Sequence, residues 1–184
     1  MYVDRVPMAP LVCLLTGGRS LRMGRDKAGL YRGSSSQAQW LARLVIEVVG
    51  PRVIEVGGTA ANCDYFLDRG MGPACALHEA AIAGAFGEFG VVVVLPVDLY
   101  RLEATGVRWF VREVLRMPSV LMLDHSPSWA TFGAPVEMLR QEPIGGSMRA
   151  YTSRLRLLEV PSGLASQFYD SDYPWELPDS VGQS

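Results

Sequence analysis

The sequence predicts a three-layer α/β/α domain built on a mostly parallel sheet. Short β-branched or apolar runs alternate with stretches whose apolar residues recur at helical spacing. The runs Leu11 to Leu15 and Val91 to Leu95 are continuously apolar, as strands covered by helices on both faces are. The first run leads straight into Thr16-Gly17-Gly18, a glycine turn at a strand's carboxyl end.

Leu11 to Leu15 reads as the first strand. Gln37 to Val49 carries Trp40, Leu41, Leu44, Val45 and Val48 on one helical face and stops at Gly50-Pro51. Ser34-Ser35-Ser36 precedes it and supplies its cap. Arg52 to Val56 is a β-branched strand closed by Gly57-Gly58, and Ala74 to Phe86 is an alanine-rich helix opened by Gly72-Pro73. Val91 to Leu95 is the clearest strand and ends at Pro96, with Asp98 just beyond. Thr105 to Met117 is a helix with Trp109, Phe110, Val114 and Leu115 on its apolar side. Ser119 to Leu123 is a strand, and Trp129 to Phe132 an edge strand. Short helices are expected at Pro135 to Arg140 and Ser147 to Tyr151, and a last strand at Leu155 to Val160. The chain reads as one domain over residues 1–184, with 1–9 and about 178–184 flexible.

Composition narrows the function. At 184 residues and 49% hydrophobic content the chain can bury a sizeable core. A net charge of −2 gives no basic field for nucleic acid and no cationic membrane patch. Three cysteines without C-x-x-C spacing suit reduced thiols in a cytoplasmic protein. His78 and His125 lie far from any cysteine pair, which disfavours zinc. Met1 to Pro10 is too polar for a signal peptide or membrane span, so a soluble, cytoplasmic protein is expected.

Lys27 is the only lysine beside sixteen arginines, and it closes the loop that begins at Thr16. A lysine is a compact, rotatable point charge suited to phosphate, where arginine makes a planar fork. Glycine N–H groups ahead of a helix form an anion-binding concavity, and Arg19, Arg22 and Arg25 add charge. The residues alone also allow a plain glycine turn with solvated arginines. Neither the P-loop nor the G-x-G-x-x-G pattern is present. Asp98, past a strand on the same rim, suits Mg²⁺, which takes one or two carboxylates with phosphate oxygens; the alternative is a helix N-cap. Asp26 pairs with Arg22 or Arg25 on this reading. Asp170 and Asp172 are either a solvated acidic tail or ligands, and His78 and His125 read as structural and loop residues.

Leu15-Thr16-Gly17-Gly18-x-Ser20-x-Arg22-Met23-Gly24-x-Asp26-Lys27 resembles the signature loop of the MobA-like nucleotidyltransferases, most of all the molybdenum cofactor guanylyltransferases. Asp68-x-x-x-Gly72-Pro73, Leu95-Pro96-Val97-Asp98 and Phe168-Tyr169-Asp170-Ser171-Asp172-Tyr173-Pro174 resemble three further elements of that family, in the same order. The resemblance implies a Rossmann-like nucleotidyltransferase fold. It implies nucleotide binding by Leu15, Thr16, Gly17, Gly18, Lys27, Asp68 and Asp98, and catalysis by Arg22, Lys27 and Asp98. Mg²⁺ would sit on Asp98, with Asp172 a second candidate. GTP and a molybdopterin-type acceptor are the implied substrates, and cofactor-maturation proteins or apo-molybdoenzymes the implied partners.

The chain departs from the family at Val56-Gly57-Gly58, where an asparagine is usual, at Tyr100 and Tyr173, and in Thr16 for alanine. These departures leave room for CTP or another phosphorylated acceptor. A non-catalytic nucleotide-binding relative is the reading from another class.

Overall fold

A computed structural model describes residues 10–16, 27–170 and 177–178. The first half comprises β1 (Leu11–Leu15), β2 (Tyr31–Arg32), β3 (Ser35–Ser36), α1 (Gln37–Val49), β4 (Val53–Val56), β5 (Asp64–Phe66) and α2 (Pro73–Ile82). Then come β6 (Val91–Pro96), α3 (Ala104–Arg116), β7 (Ser119–Leu123), β8 (Ser126–Pro135), α4 (Val136–Leu139), α5 (Met148–Thr152) and β9 (Arg156–Glu159). Among the described residues seven strands form one sheet in the order β5-β4-β1-β6-β8-β7-β9. β8 runs antiparallel to both its neighbours, and the other pairings are parallel.

Strand alternation divides the core. Val12 and Leu14 of β1 pack with Val93 and Leu95 of β6 beneath α1 and α3. Cys13 and Leu15 pack with Val92 and Val94 beneath α2, α4 and α5. Each side chain of a central parallel strand therefore has a helix to face, which is why these runs carry no polar alternation. α1 buries Ala38, Leu41, Ala42 and Val45, the three-to-four spacing of one helical face. It begins in a capping box, with Ser36 Oγ accepting from Gln39 N and the Gln39 side chain accepting from Ser36 N. α3 buries Val107, Phe110, Val111 and Val114 in the same way.

The helix expected over 74–86 ends at Ile82, because Gly84 and Gly87 adopt φ of +77° and +57° and turn the chain. Trp129 to Phe132 is not an edge strand. It belongs to the ten-residue β8, which lies inside the sheet between β6 and β7. Its polar Ser126, Ser128 and Thr131 hid it from a hydrophobicity pattern. The turn before it is a two-residue hairpin with Asp124 at φ +46° and His125 at +63°, the left-handed pair that suits the twist of an antiparallel ribbon. The edge is β9. The short β2, β3 and β5 had no sequence signal. Pro178 is half-buried, while residues 1–9 and 179–184, expected to be flexible, lie outside the described residues.

Gly133 marks the closest approach of helix to sheet: a Cβ there would overlap the Val114 side chain of α3. Overpacking of this kind costs about 1–3 kcal/mol. Gly133→Ala should lower the melting midpoint by roughly 3–10 °C for a domain of this size. Adding Val114→Ala should recover part of that loss, read by the same thermal scan as a non-additive double-mutant cycle.

Candidate active site

Parallel pairing puts the carboxyl ends of β1, β4, β5 and β6 on one rim. Thr16 follows β1 there, Gly57-Gly58 follow β4, Asp68 follows β5 and Asp98 follows β6. The sheet hydrogen bonding continues past the strands, with Thr16 N donating to Val56 O at 3.1 Å and Val97 N to Leu15 O at 3.0 Å. In an open sheet of this kind the rim is where ligands bind.

Lys27 Nζ donates to Asp98 Oδ2 at 3.0 Å, and the two side chains are 12% and 19% exposed. Backbone contacts hold both residues in position. Ala38 N donates to Ala28 O, and Gln37 N to Leu30 O, tying the segment after Lys27 to the first turn of α1. The buried Gln37 side chain donates through Nε2 to Val97 O at 3.1 Å, next to Asp98. Arg32 stacks over Trp40, 3.4 Å from the ring centre, and its Nη1 donates to Tyr100 O at 2.6 Å. Tyr100 itself is fully buried and packs with Leu30 and Leu177.

Burial pushes the Asp98 carboxyl above the usual carboxylate range. The charge and hydrogen bond of Lys27 pull it back, and the Asp170 carboxylate adds to the upward push. Asp98 Oδ1 is buried with no hydrogen-bond partner among the described residues. An N-cap role does not account for Asp98, because α3 starts at Ala104 with Glu103 in the cap position. The residues fit a divalent cation: Asp98 offers a buried carboxylate oxygen without a hydrogen-bond partner among the described residues, and Mg²⁺ takes one or two carboxylates together with phosphate oxygens.

The remaining sequence-derived residues fall into three groups. Leu15 ends β1 inside the core, and the Thr16 hydroxyl donates inward to Glu55 at 2.6 Å. Asp68 is half-buried on the rim, and its Oδ1 accepts from Gly70 N at 2.9 Å, shaping the loop ahead of α2. Gly17, Gly18, Arg22, Asp26 and Asp172 lie outside the described residues. Sequence reasoning passed over Glu55, whose signal was a lone carboxylate inside Val53-Ile54-Glu55-Val56. Tyr169 Oη donates to Asp124 Oδ2 at the hairpin tip, which ties the segment before Asp170 to the turn between β7 and β8. His78 Nδ1 lies 3.2 Å from Leu139 O, in keeping with a structural role. Among the described residues no helix is long and apolar enough to cross a membrane.

Residues 12–159 match the MobA-like NTP transferase domain. The chain belongs to the MobA-like NTP transferase family. It is 31% identical over 134 residues to a probable molybdenum cofactor guanylyltransferase of Opitutus terrae, a match covering 66% of this chain and 63% of that protein. It is 33% identical over 89 residues to a molybdenum cofactor guanylyltransferase of Rhizobium leguminosarum bv. trifolii, covering 47% and 42%. The matches thus span less than two thirds of either relative. The fold is also that of the Mycobacterium tuberculosis protein Rv0371c, with a TM-score of 0.66 at 15% identity over 91% of this chain and 95% of that one. That mycobacterial protein has also been solved in complex with manganese, a structure matching with a TM-score of 0.60 at 16% identity over 83% and 88%.

The pair at the rim has a measurable signature. Lys27→Met should cost about 1–3 kcal/mol at neutral pH, since a mostly buried carboxylate loses its charged partner. Burial then raises the folded-state pKa of Asp98 further above its unfolded value. Protonation therefore favours the folded variant, and its deficit should shrink as pH falls through the carboxylate range. Adding Asp98→Asn should also relieve the deficit, and denaturant unfolding of the two variants at pH 7 and pH 5 reads both effects.

Proposed function

We propose that this chain transfers a nucleotidyl group from a nucleoside triphosphate, GTP in the first instance, to the phosphate of a molybdopterin-type acceptor. The observation that carries the reading is the Lys27–Asp98 pair at the sheet rim, at the end of the loop whose sequence matches the family. The guanine and molybdopterin assignments draw on the activities named for the two relatives.

In this reaction an acceptor phosphate oxygen attacks the α-phosphorus in line, and the bond from that phosphorus to the bridging oxygen breaks to release pyrophosphate. No protein nucleophile is required, so the chain's work is positioning and charge stabilisation. Lys27 supplies a positive charge for the leaving pyrophosphate, with Arg22 assigned the same role by resemblance. Asp98 is the residue that would hold a divalent cation, Mg²⁺ by resemblance, with Asp172 a second candidate. When bound, that cation would offset negative charge on the phosphate oxygens. Leu15, Thr16, Gly17, Gly18 and Asp68 are assigned to the nucleotide. The protein is assigned to the cytoplasm, where cofactor-maturation proteins or apo-molybdoenzymes would meet its product.

A thermal-shift panel with GTP, CTP, ATP and UTP, each with and without Mg²⁺, tests the reading. A ligand at 100 times its dissociation constant adds about 2.7 kcal/mol, or roughly 5–11 °C for a domain of this size. A Mg²⁺-dependent shift with GTP alone supports the guanylyl reading. A shift with CTP alone moves the assignment to cytidylyl transfer, and no shift with any nucleotide sinks it. Lys27→Ala should cut turnover by roughly 10²–10³, the scale for one charge-stabilising group. Near-normal turnover in that variant, measured by pyrophosphate release, contradicts the role given to Lys27.

A further inference from the structure

Glu55 is a carboxylate on a central strand, and it is fully buried. It lies in β4 opposite Leu14 of β1, on the α1 side of the sheet. A charge there is expensive to bury unless hydrogen bonds satisfy it. Three donors do so. Thr16 Oγ1 donates to Oε1 at 2.6 Å, Ala60 N to Oε1 at 2.9 Å, and Ala61 N to Oε2 at 2.6 Å. All three come from the rim, one from the start of the glycine-rich loop and two from loop 57–62. Ser36 Oγ, the cap of α1, donates in turn to Ala60 O at 3.1 Å, so the network reaches the helix as well.

Gly58 closes the arrangement from the other side. A Cβ at that position would lie 2.7 Å from Glu55 Oε1 and 2.9 Å from Thr16 Oγ1. Thr16, Glu55 and Gly58 are thus mutually adjusted: the hydroxyl needs the carboxylate, and the bond between them needs the missing side chain. Thr16 and Gly58 both fall where the sequence departs from its family. An alanine in place of Thr16 would have no hydroxyl to give.

We propose that Glu55 is a positioning residue for the nucleotide. Its carboxylate, bonded to Thr16 Oγ1, Ala60 N and Ala61 N, sets the spacing between Thr16 at the end of β1 and loop 57–62. On the proposed function Thr16 is one of the residues assigned to the nucleotide, so this spacing bears on nucleotide affinity. Glu55 does not touch the ligand, because its oxygens are turned inward to these donors. The inference rests on the reading of the glycine-rich loop as a nucleotide loop.

The test measures GTP affinity with Mg²⁺ by calorimetry, alongside KM and kcat, for Thr16→Val, Thr16→Ser, Glu55→Gln and Gly58→Ala. Thr16→Val should weaken GTP roughly tenfold, the scale of a lost bond to a charged group. KM should rise more than kcat falls, and Thr16→Ser should restore affinity. Gly58→Ala disturbs the same carboxylate by crowding, so its effect should be non-additive with that of Thr16→Val. Thr16→Ala replaces Thr16→Val if the valine variant does not fold. Hydroxyl-deleting and Gly58→Ala variants that bind GTP like the parent, with only their melting midpoints lowered, overturn the inference and leave the functional reading standing. A parent protein that binds no nucleoside triphosphate overturns both.

Discussion

β1 is the member on which the rest of the molecule depends. It is buried along its whole length and pairs in parallel with β4 on one side and β6 on the other. A strand so enclosed can leave its backbone groups nowhere but in the two ladders, and its side chains only in the two cores. Its register therefore carries the site with it. Leu15 is opposite Val56 and Pro96, so the residues after all three strands emerge together at one edge. A shift of one residue would reverse the faces of Val12, Leu14 and Thr16 and remove Thr16 from Glu55.

Two kinds of polar interaction are built on that frame. The Glu55 network satisfies a buried carboxylate with neutral donors, two of them backbone N–H groups that have no freedom to leave. The Lys27–Asp98 pair is different, because one carboxylate oxygen is matched by a flexible ammonium and the other is unpartnered among the described residues. A fully satisfied group is a device for holding geometry. A partly satisfied one, raised in pKa by burial, is chemically available. The division of labour along the rim follows from how many donors each carboxylate has been given.

The departures from the family make physical sense beside this contrast. Tyr100 fills a small core with Leu30 and Leu177 next to Asp98, and Arg32 crosses from β2 to bond the Tyr100 carbonyl. Thr16 and Gly58 belong to the Glu55 network. These changes bear on how the site is braced.

The sequence by itself determined the layers and the rim. Continuous apolar runs at Leu11 to Leu15 and Val91 to Leu95 allow little but buried parallel strands, and Gly50-Pro51 stops α1 where it is expected. Strand–helix alternation put Thr16 and Asp98 on one rim, since both lie just past strand carboxyl ends. Tertiary structure decided what periodicity could not carry. β8 is interior because Phe132 and Gly133 pair with β6 on one side and β7 on the other, and a pattern of hydrophobicity sees only its own strand. The 3.0 Å contact across 71 residues depends on how the segment after Lys27 folds back on α1. Glu55 is the sharpest case, a carboxylate whose strand called for an apolar residue. Its place is explained by Thr16 on the neighbouring strand's end and by Ala60 N and Ala61 N of the loop that follows, partners that a hydrophobicity pattern does not register.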